Sequence, residues 1–353
     1  MRWKTLKAFL HHPERSIDPR KSYYPDLPHK SKFTIFMEHV RHIMKFGVKF
    51  KEYYLYGLDV KGTNPSDFVC ERYNFEVLTF FHSHQEPSYA VTMGDKNIFA
   101  QIMHDNNLPI PRSYGLLLNG QLHLQGGIGT PVGLERLLQE DKKVLCKPVT
   151  GFGGKGILSV EVKSGALFVD DVETSISNFH ELIKSDTYLV QHYLSNQHEA
   201  MKALYPNALN TLRVTMVRTD HGIEVLGVMC LMGSSNAKYS NWHFGGIVIS
   251  VDEDGRLRKY GFSNQDKMIT KHPITGVVFE GYQLPYYHET IELCRKAMDV
   301  FYGMKSIGWD MAILDDGPVF IEGNHGWGIA AHQMVDQCGW AERYHKAFGI
   351  PRP

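Results

Sequence analysis

Four glycines within six positions, Gly151, Gly153, Gly154 and Gly156, follow Lys147-Pro148 and separate two short apolar runs. The runs, KVLCKP and ILSVEV, read as strands bounded by turn residues. A glycine-rich turn between strands lets backbone N–H groups approach an anion with no side chain in the way. Lys147, at the end of the first strand, would add a fixed positive charge beside it. The GxxxxGK[ST] spacing is absent and a strand rather than a helix follows, so neither a Walker loop nor a dinucleotide fingerprint fits. Taken alone, the stretch reads equally well as an ordinary mobile turn.

A second pattern is GWDMAILDDGPVFIEGN. Asp310 falls on one strand, Glu322 and Asn324 on the next, and Asp315-Asp316-Gly317 forms the turn between them. Cross-strand neighbours in a hairpin lie side by side, and positions two apart share a strand face. Three oxygen donors inside otherwise apolar strands suit a hard cation such as Mg²⁺ carrying nucleotide phosphates. The third signal is Arg213 in NTLRVTMV. A strand arginine facing inward is usually paired; here it would clamp a carboxylate or a transferring phosphoryl group, or serve only as a structural salt bridge.

The chain has 353 residues, enough for two or three packed subdomains, with 43% hydrophobic and 22% charged residues. Lys plus Arg equals Asp plus Glu at 38 each, which argues against a polyanionic nucleic-acid partner. No run of about 18 apolar residues suggests a membrane span, and MRWKTLKAFLHHPER lacks the cleavage site of a signal peptide. Five scattered cysteines without a CxxC pair fit reduced thiols in a cytoplasm. Apolar spacing predicts a helix over Phe33–Phe50, its continuation stopped at Gly57 or Gly62. A second helix follows from Asp95, with Ile98, Phe99, Ile102 and Met103 on one face. Thr130-Pro131 should open a helix, and Thr174 or Ser175 should cap another. His82 and His84 would share one side of a strand, with no third ligand at zinc spacing. The last third is rich in strands joined by DEDG and DDGP turns, so an α+β fold is expected rather than a doubly wound parallel sheet.

Together these signals resemble the ATP-grasp superfamily. GDKNIFAQIMHDNNLPIP is similar to the family's opening segment, which assigns Lys96 to the nucleotide phosphates, and VLCKP supplies the second nucleotide lysine, Lys147, before the glycine-rich lid. TYLVQHY looks like the hinge whose backbone meets the adenine edge, giving Gln191, His192, Tyr193 and Leu194. Glu199 is the candidate ribose-binding acid. Asp310, Glu322 and Asn324 stand where the family's metal ligands stand. The order NTLRVTMV, FGGIVISVDEDGRL, HPITG, LPYY and SIGWDMAILDDGPVFIEGN, with Gln333 beyond, resembles the sugar-transfer-associated branch from about residue 20 onward. Asn210, His272, His325 and Gln333 follow from it as substrate-side residues. EGNHGWG departs from the pattern by lacking the proline that many ligases carry after the asparagine.

The resemblance implies an ATP-grasp fold of two α+β subdomains behind an N-terminal helical extension. Residues 1–90 would form that extension, 91–190 the part with the lid, and 191–353 the metal- and substrate-binding part. It implies ATP and two Mg²⁺ ions, with Mn²⁺ as an alternative, and a cytoplasmic enzyme. That enzyme would activate a small-molecule carboxylate as an acyl phosphate for an amine, with Arg213 and Lys147 as catalytic residues. A kinase phosphorylating a hydroxyl or carboxylate would use the same nucleotide machinery, so that alternative stays open, as does the oligomeric state, a dimer among the options.

Overall fold

The computed structural model describes residues 2–84, 87–119, 121–124, 132–134, 137–138, 143–151, 153–195, 197–234, 245–263 and 267–351. The helix start expected at Thr130-Pro131 lies outside the described residues, but Val132–Gly133, which would be its first turn, form a strand instead.

Helices lead the chain: α1 (Arg2–His11), α2 (Lys32–Phe46), α3 (Glu71–His84), α4 (Pro87–Gly94) and α5 (Lys96–Asp105). Ser31 caps α2 by accepting from Thr34 N–H, which satisfies one of the free amides of the first turn. The helix ends at Gly47, φ +76°, whose N–H donates to Ile43 O at 2.8 Å. This corrects the stop expected at Gly57 or Gly62. Residues 51–59 are instead a series of turns, and Tyr53, Tyr54, Tyr56 and Leu58 fold into a small core with Ile35 and Phe50. A second correction concerns His82 and His84, which lie on α3 and not on a strand. Val77, Leu78, Phe81 and His82 are buried, and that i, i+1, i+4, i+5 spacing is a helical face.

Two antiparallel sheets follow. The first comprises β1 (Ser113–Leu118), β2 (Gln121–Leu124), β3 (Val132–Gly133), β4 (Lys143–Pro148), β5 (Leu158–Lys163), β6 (Ala166–Val169), β7 (Val172–Glu173) and β8 (Tyr188–His192). Their order is β3-β2-β1-β8-β4-β5-β6-β7. Val144 and Cys146 of β4, with Val190 of β8, pack on Phe179 and Ile183 of the Ile176–Ile183 helix. Ser175 caps that helix through Asn178 N–H, one of the two caps expected.

The second sheet comprises β9 (Thr211–Thr219), β10 (Gly222–Met232), β11 (Ile247–Val251), β12 (Leu257–Ser263), β13 (Lys267–Ile269), β14 (Ser306–Leu314) and β15 (Gly317–Asn324). Its order is β13-β12-β11-β10-β9-β14-β15. The DEDG turn closes on Asp252, whose carboxylate accepts from Asp254 and Arg256 N–H. Leu212, Val214 and Met216 alternate along β9 toward Phe99 and Met103 of α5 and Cys294 and Met298 of the Tyr287–Val300 helix. On the opposite face Val217 joins Trp327, Trp340 and Tyr344. Each such fully buried large side chain contributes roughly 1.5–3 kcal/mol.

Candidate functional site

The nucleotide-side candidates come from the first sheet and α5. Asp95 caps α5 by accepting from Asn97 and Ile98 N–H, which fixes the turn bearing Lys96. Lys96 N–H donates to Val149 O at 3.0 Å, and its ammonium donates to Gly151 O at 2.9 Å. The start of α5 is thereby tied to the loop that follows β4. Along β4, Val144 and Cys146 face the core, and strand alternation turns Lys147 to the other face. There it is level with Leu189 of β8, two positions from Gln191. Gly151, Gly153, Gly154 and Gly156 all have φ between +72° and +124°. A Cβ at Gly151 or Gly153 would meet nothing within 4 Å. Backbone conformation, not crowding, therefore demands glycine at those two positions.

The opposite wall is the β14–β15 hairpin with β9. Asp310 is the register neighbour of both Glu322 and Arg213. Arg213 grips Asp310 with two parallel hydrogen bonds, Nε to Oδ1 and Nη2 to Oδ2, the second 2.8 Å long. Asn324 Nδ2 donates to Asp310 Oδ2 and Glu322 Oε1, both at 3.2 Å. The register slips between Asp310 and Met311, inserting Ile321 as an extra residue. A bulge re-aims its side chains, and here both Ile321 and Glu322 reach the cleft. Gly323 between Glu322 and Asn324 leaves room for Met93 and Trp309.

The two walls enclose one cleft, lined by Lys96, Lys147, Gly151, Gln191, Glu322 and Asn324, with Met93, Phe99 and Ile110 as apolar contacts. Its electrostatics follow from burial. Desolvation pushes Lys147 down to about 8 against the attraction of Glu322, and nearby Lys96 pushes the same way. Lys96 is lowered too, by burial against Glu322 and Asp95. Burial raises Asp310 to about 6 although Arg213 pulls it down, and Glu322 beside it adds to the rise. Burial would raise Glu322 as well, but the hydrogen bond with Asp310, then Arg213, Asn324 and Lys147, hold it below its ordinary value. Arg213, half-buried, is held charged by Asp310 against the cost of desolvation.

The other candidates do not converge there. His192 N–H donates to Arg112 O at 2.8 Å, Tyr193 lies under the Lys143 ammonium at 4.4 Å, and Leu194 is half-buried. Glu199 is exposed at the start of the Glu199–Leu204 helix. None of these four lines the cleft among the described residues. Asn210 is fully buried, donating to Met201 O and Tyr205 O at 2.7 and 2.8 Å. His272 meets Gly233 O at 2.8 Å and accepts from Ile274 and Thr275 N–H. Gln333 exchanges hydrogen bonds with Val69 and accepts from Trp340 N–H. These three side chains hold loops together. His325 is half-buried with its ring 6.0 Å from that of His82.

Among residues the motifs did not mark, Leu189 was within reach of the sequence, since alternation places it beside Gln191. Ile321 was not, because a bulge decides its direction. Glu71 carries no motif either, yet its Oε2 accepts from Ile329 and Ala330 N–H at 2.9 and 3.0 Å. Asn74 on the same helix donates to Trp327 O. The segment following Asn324 is therefore anchored by α3.

A family model described as sugar-transfer associated ATP-grasp matches residues 78–348. The chain belongs to that family. Its two antiparallel sheets and N-terminal helical region carry the α+β ATP-grasp fold that the motifs implied. Solved structures similar to this ATP-grasp chain include an ADP complex of N5-carboxyaminoimidazole ribonucleotide synthetase. It is 11% identical, with a TM-score of 0.46, over 80% of this chain and 60% of that one. They also include D-alanine–D-alanine ligase from Bacillus anthracis, at 13% identity and TM-score 0.38, over 70% and 66% of the two chains. L-amino acid ligase from Bacillus licheniformis matches at 10% identity and TM-score 0.39, over 70% and 43%. The chain thus spans about 60% of the length of the first of these. A comparison with curated proteins gives no match. Among the described residues no helix is long and apolar enough to cross a membrane.

Proposed function

We propose that the protein is an ATP- and Mg²⁺-dependent ligase. It would activate a small-molecule carboxylate as an acyl phosphate, join it to an amine, and release ADP and phosphate, within cytoplasmic glycan or secondary-metabolite biosynthesis. The observation that carries this reading is the single cleft in which Lys96, Lys147 and Gln191 face Glu322 and Asn324, with Arg213 and Asp310 hydrogen-bonded behind them. In this reading residues 91–190 hold the nucleotide, 191–353 hold cation and acceptor, and 1–90 brace them.

The donor set fits a hard cation. Glu322 and Asp310 offer carboxylates and Asn324 an amide oxygen, with no sulfur or imidazole among them. When bound, Mg²⁺ would neutralise phosphate charge and orient the γ-phosphoryl group. The chain's own groups do the rest. Lys96 and Lys147 counter the remaining phosphate charge, and the amides of the 151–156 turn approach the phosphoryl oxygens with no side chain between. Arg213 supplies a permanent cation for the charge spread over the transferring phosphoryl group. The carboxylate oxygen attacks the γ-phosphorus, ADP leaves, and the amine then displaces phosphate from the acyl carbon. Closing the turn over the site would exclude water from the acyl phosphate.

The test is ADP release screened over carboxylates, with hydroxylamine in place of the natural amine. A carboxylate substrate should give ADP together with a hydroxamate. A stable phosphate ester of a hydroxyl, with no hydroxamate from any carboxylate, would replace this reading with the kinase one.

A further inference from the structure

The first two helices carry charge and apolar side chains that the cleft does not use. α1 and α2 run antiparallel: Thr5 donates to Gly47 O at 3.0 Å near one end, and Phe9 stacks on Phe36 at 5.4 Å toward the other. Leu6 and Phe9 pack on Ile43 between them. Helical periodicity then places Trp3, Lys7 and Leu10 on one outer stripe of α1, and Phe33, Arg41 and Met44 on one outer stripe of α2. The apolar members of both are open to solvent, Trp3 75%, Leu10 51%, Phe33 74% and Met44 40% exposed.

The charges around them have one sign. Arg2, Lys4, Lys7, Lys32, Arg41 and Lys45 are all exposed on these two helices. Their one acid, Glu38, is turned inward, accepting from Lys30 at 2.9 Å and from the Tyr53 hydroxyl. Residues 1–61 hold thirteen Lys and Arg against six Asp and Glu, in a chain whose total is neutral. An exposed apolar residue by itself is ordinary. Four of them on adjoining helices, set among six cations, form the pattern of a helix that lies in a lipid interface.

We propose that the outer face of α1 and α2 docks on an anionic membrane surface. Trp3, Leu10, Phe33 and Met44 enter the headgroup boundary while the lysines and arginines meet lipid phosphates. Nucleic acid would engage the same cations and stack on Trp3 and Phe33, but it would leave Leu10 and Met44 facing water, whereas a lipid interface takes up all four apolar side chains. A second copy of the chain would set two faces of like charge against each other.

The test is flotation of the full chain with vesicles of phosphatidylcholine alone, or containing about 30% phosphatidylglycerol. Flotation is expected with the anionic vesicles only, and should fade as ionic strength rises toward about 0.5 M and screening shortens. Lys4→Ala with Lys7→Ala should weaken it about 25-fold, each lysine counting about fivefold. Trp3→Ala with Phe33→Ala should release the protein too. Both pairs should leave the thermal unfolding midpoint unchanged, because these side chains are exposed. The proposal fails if anionic vesicles do not float the protein or neutral ones do so equally. It fails also if both variants bind as the parent does, or if RNA or self-association takes up the face in preference to lipid.

Discussion

Lys147 is the residue at which folding and nucleotide binding should pull in opposite directions. The residue is 6% exposed, and burial moves its ammonium from the ordinary 10.5 down to about 8. That difference corresponds to about 3 kcal/mol of unfavourable charge burial at neutral pH. Below pH 8 the amine is protonated in the folded and unfolded chain alike, so the whole penalty applies. Between 8 and 10.5 the folded chain has released its proton while the unfolded chain keeps it, and stability rises with pH across that window. Above 10.5 the difference is gone. Lys147→Met keeps the length of the side chain and removes the charge, leaving Glu322 with Asn324 and the Arg213–Asp310 pair. Urea unfolding should therefore find the variant more stable than the parent by about 3 kcal/mol at pH 7, the gap closing toward pH 10.5. ATP affinity should move the other way. Loss of a charge-assisted hydrogen bond of about 1.5–3 kcal/mol weakens binding roughly 10- to 150-fold by calorimetry. In the parent, affinity should also decline above pH 8 as the ammonium deprotonates, and Lys147→Met should abolish that decline. A variant destabilised at pH 7, or one that binds ATP as the parent does, would refute the assignment of Lys147 as a strained, phosphate-facing cation.

Two further outcomes follow from the same geometry. Asp310→Asn and Glu322→Gln should each abolish ADP formation while far-ultraviolet circular dichroism stays unchanged; substantial turnover by the double variant at ordinary Mg²⁺ would remove the cation site. Glu71, raised by burial from 4.5 to about 7, keeps its proton in the folded chain over a range where the unfolded chain has lost it. Stability should therefore fall as pH rises from 4.5 to 7, and Glu71→Gln, which still accepts from Ile329 and Ala330 N–H, should flatten that slope in urea midpoints measured at pH 5 and 8. Identical slopes in parent and variant would show that Glu71 does not titrate there.

What the sequence revealed was local. KVLCKP, TLRVTMVRT and the DEDG and DDGP turns announce themselves through alternation and turn chemistry within a few residues, and each forms as expected. So does the cap at Ser175. The stop of α2 was not legible because Gly47, Gly57 and Gly62 all suit a left-handed residue, and all three adopt one. Only the packing of Tyr53, Tyr54 and Tyr56 around Phe50 selects the first as the helix end. His82 and His84 misled because FFHSH is as compatible with a strand as with a helix, and the deciding contacts lie far away in sequence, with Trp327, Tyr344 and Phe348. Polar residues inside the family-like motifs were a different matter. A motif marks Asn210, His272 and Gln333 without saying whether each meets a ligand or a backbone carbonyl. Burial and hydrogen-bond partners separate them from Glu322 and Asn324. The family match begins at residue 78, so the 77 residues before it, with the helix pair α1–α2, had to be read from their own charges and contacts.

The charges around the cleft explain why nucleotide and cation should need one another. Three cations, Lys96, Lys147 and Arg213, stand near two carboxylates, Asp310 and Glu322. Burial makes each of these more dependent on its neighbours than it would be in water. A polyphosphate entering alone relieves the lysines but brings roughly four negative charges toward Asp310 and Glu322. A divalent cation entering alone relieves the carboxylates but competes with Arg213 for Asp310 and with Lys147 for Glu322. Each partial occupancy leaves one wall opposed by like charge; only the two together satisfy both. The bidentate hold of Arg213 on Asp310 then acts as a brace for the cleft. It keeps the carboxylate aligned with Glu322, and in the proposed reaction it would keep Arg213 oriented beside the transferring charge. In the proposed reaction Arg213 need not choose between a structural and a chemical role, because the same geometry would serve both in turn.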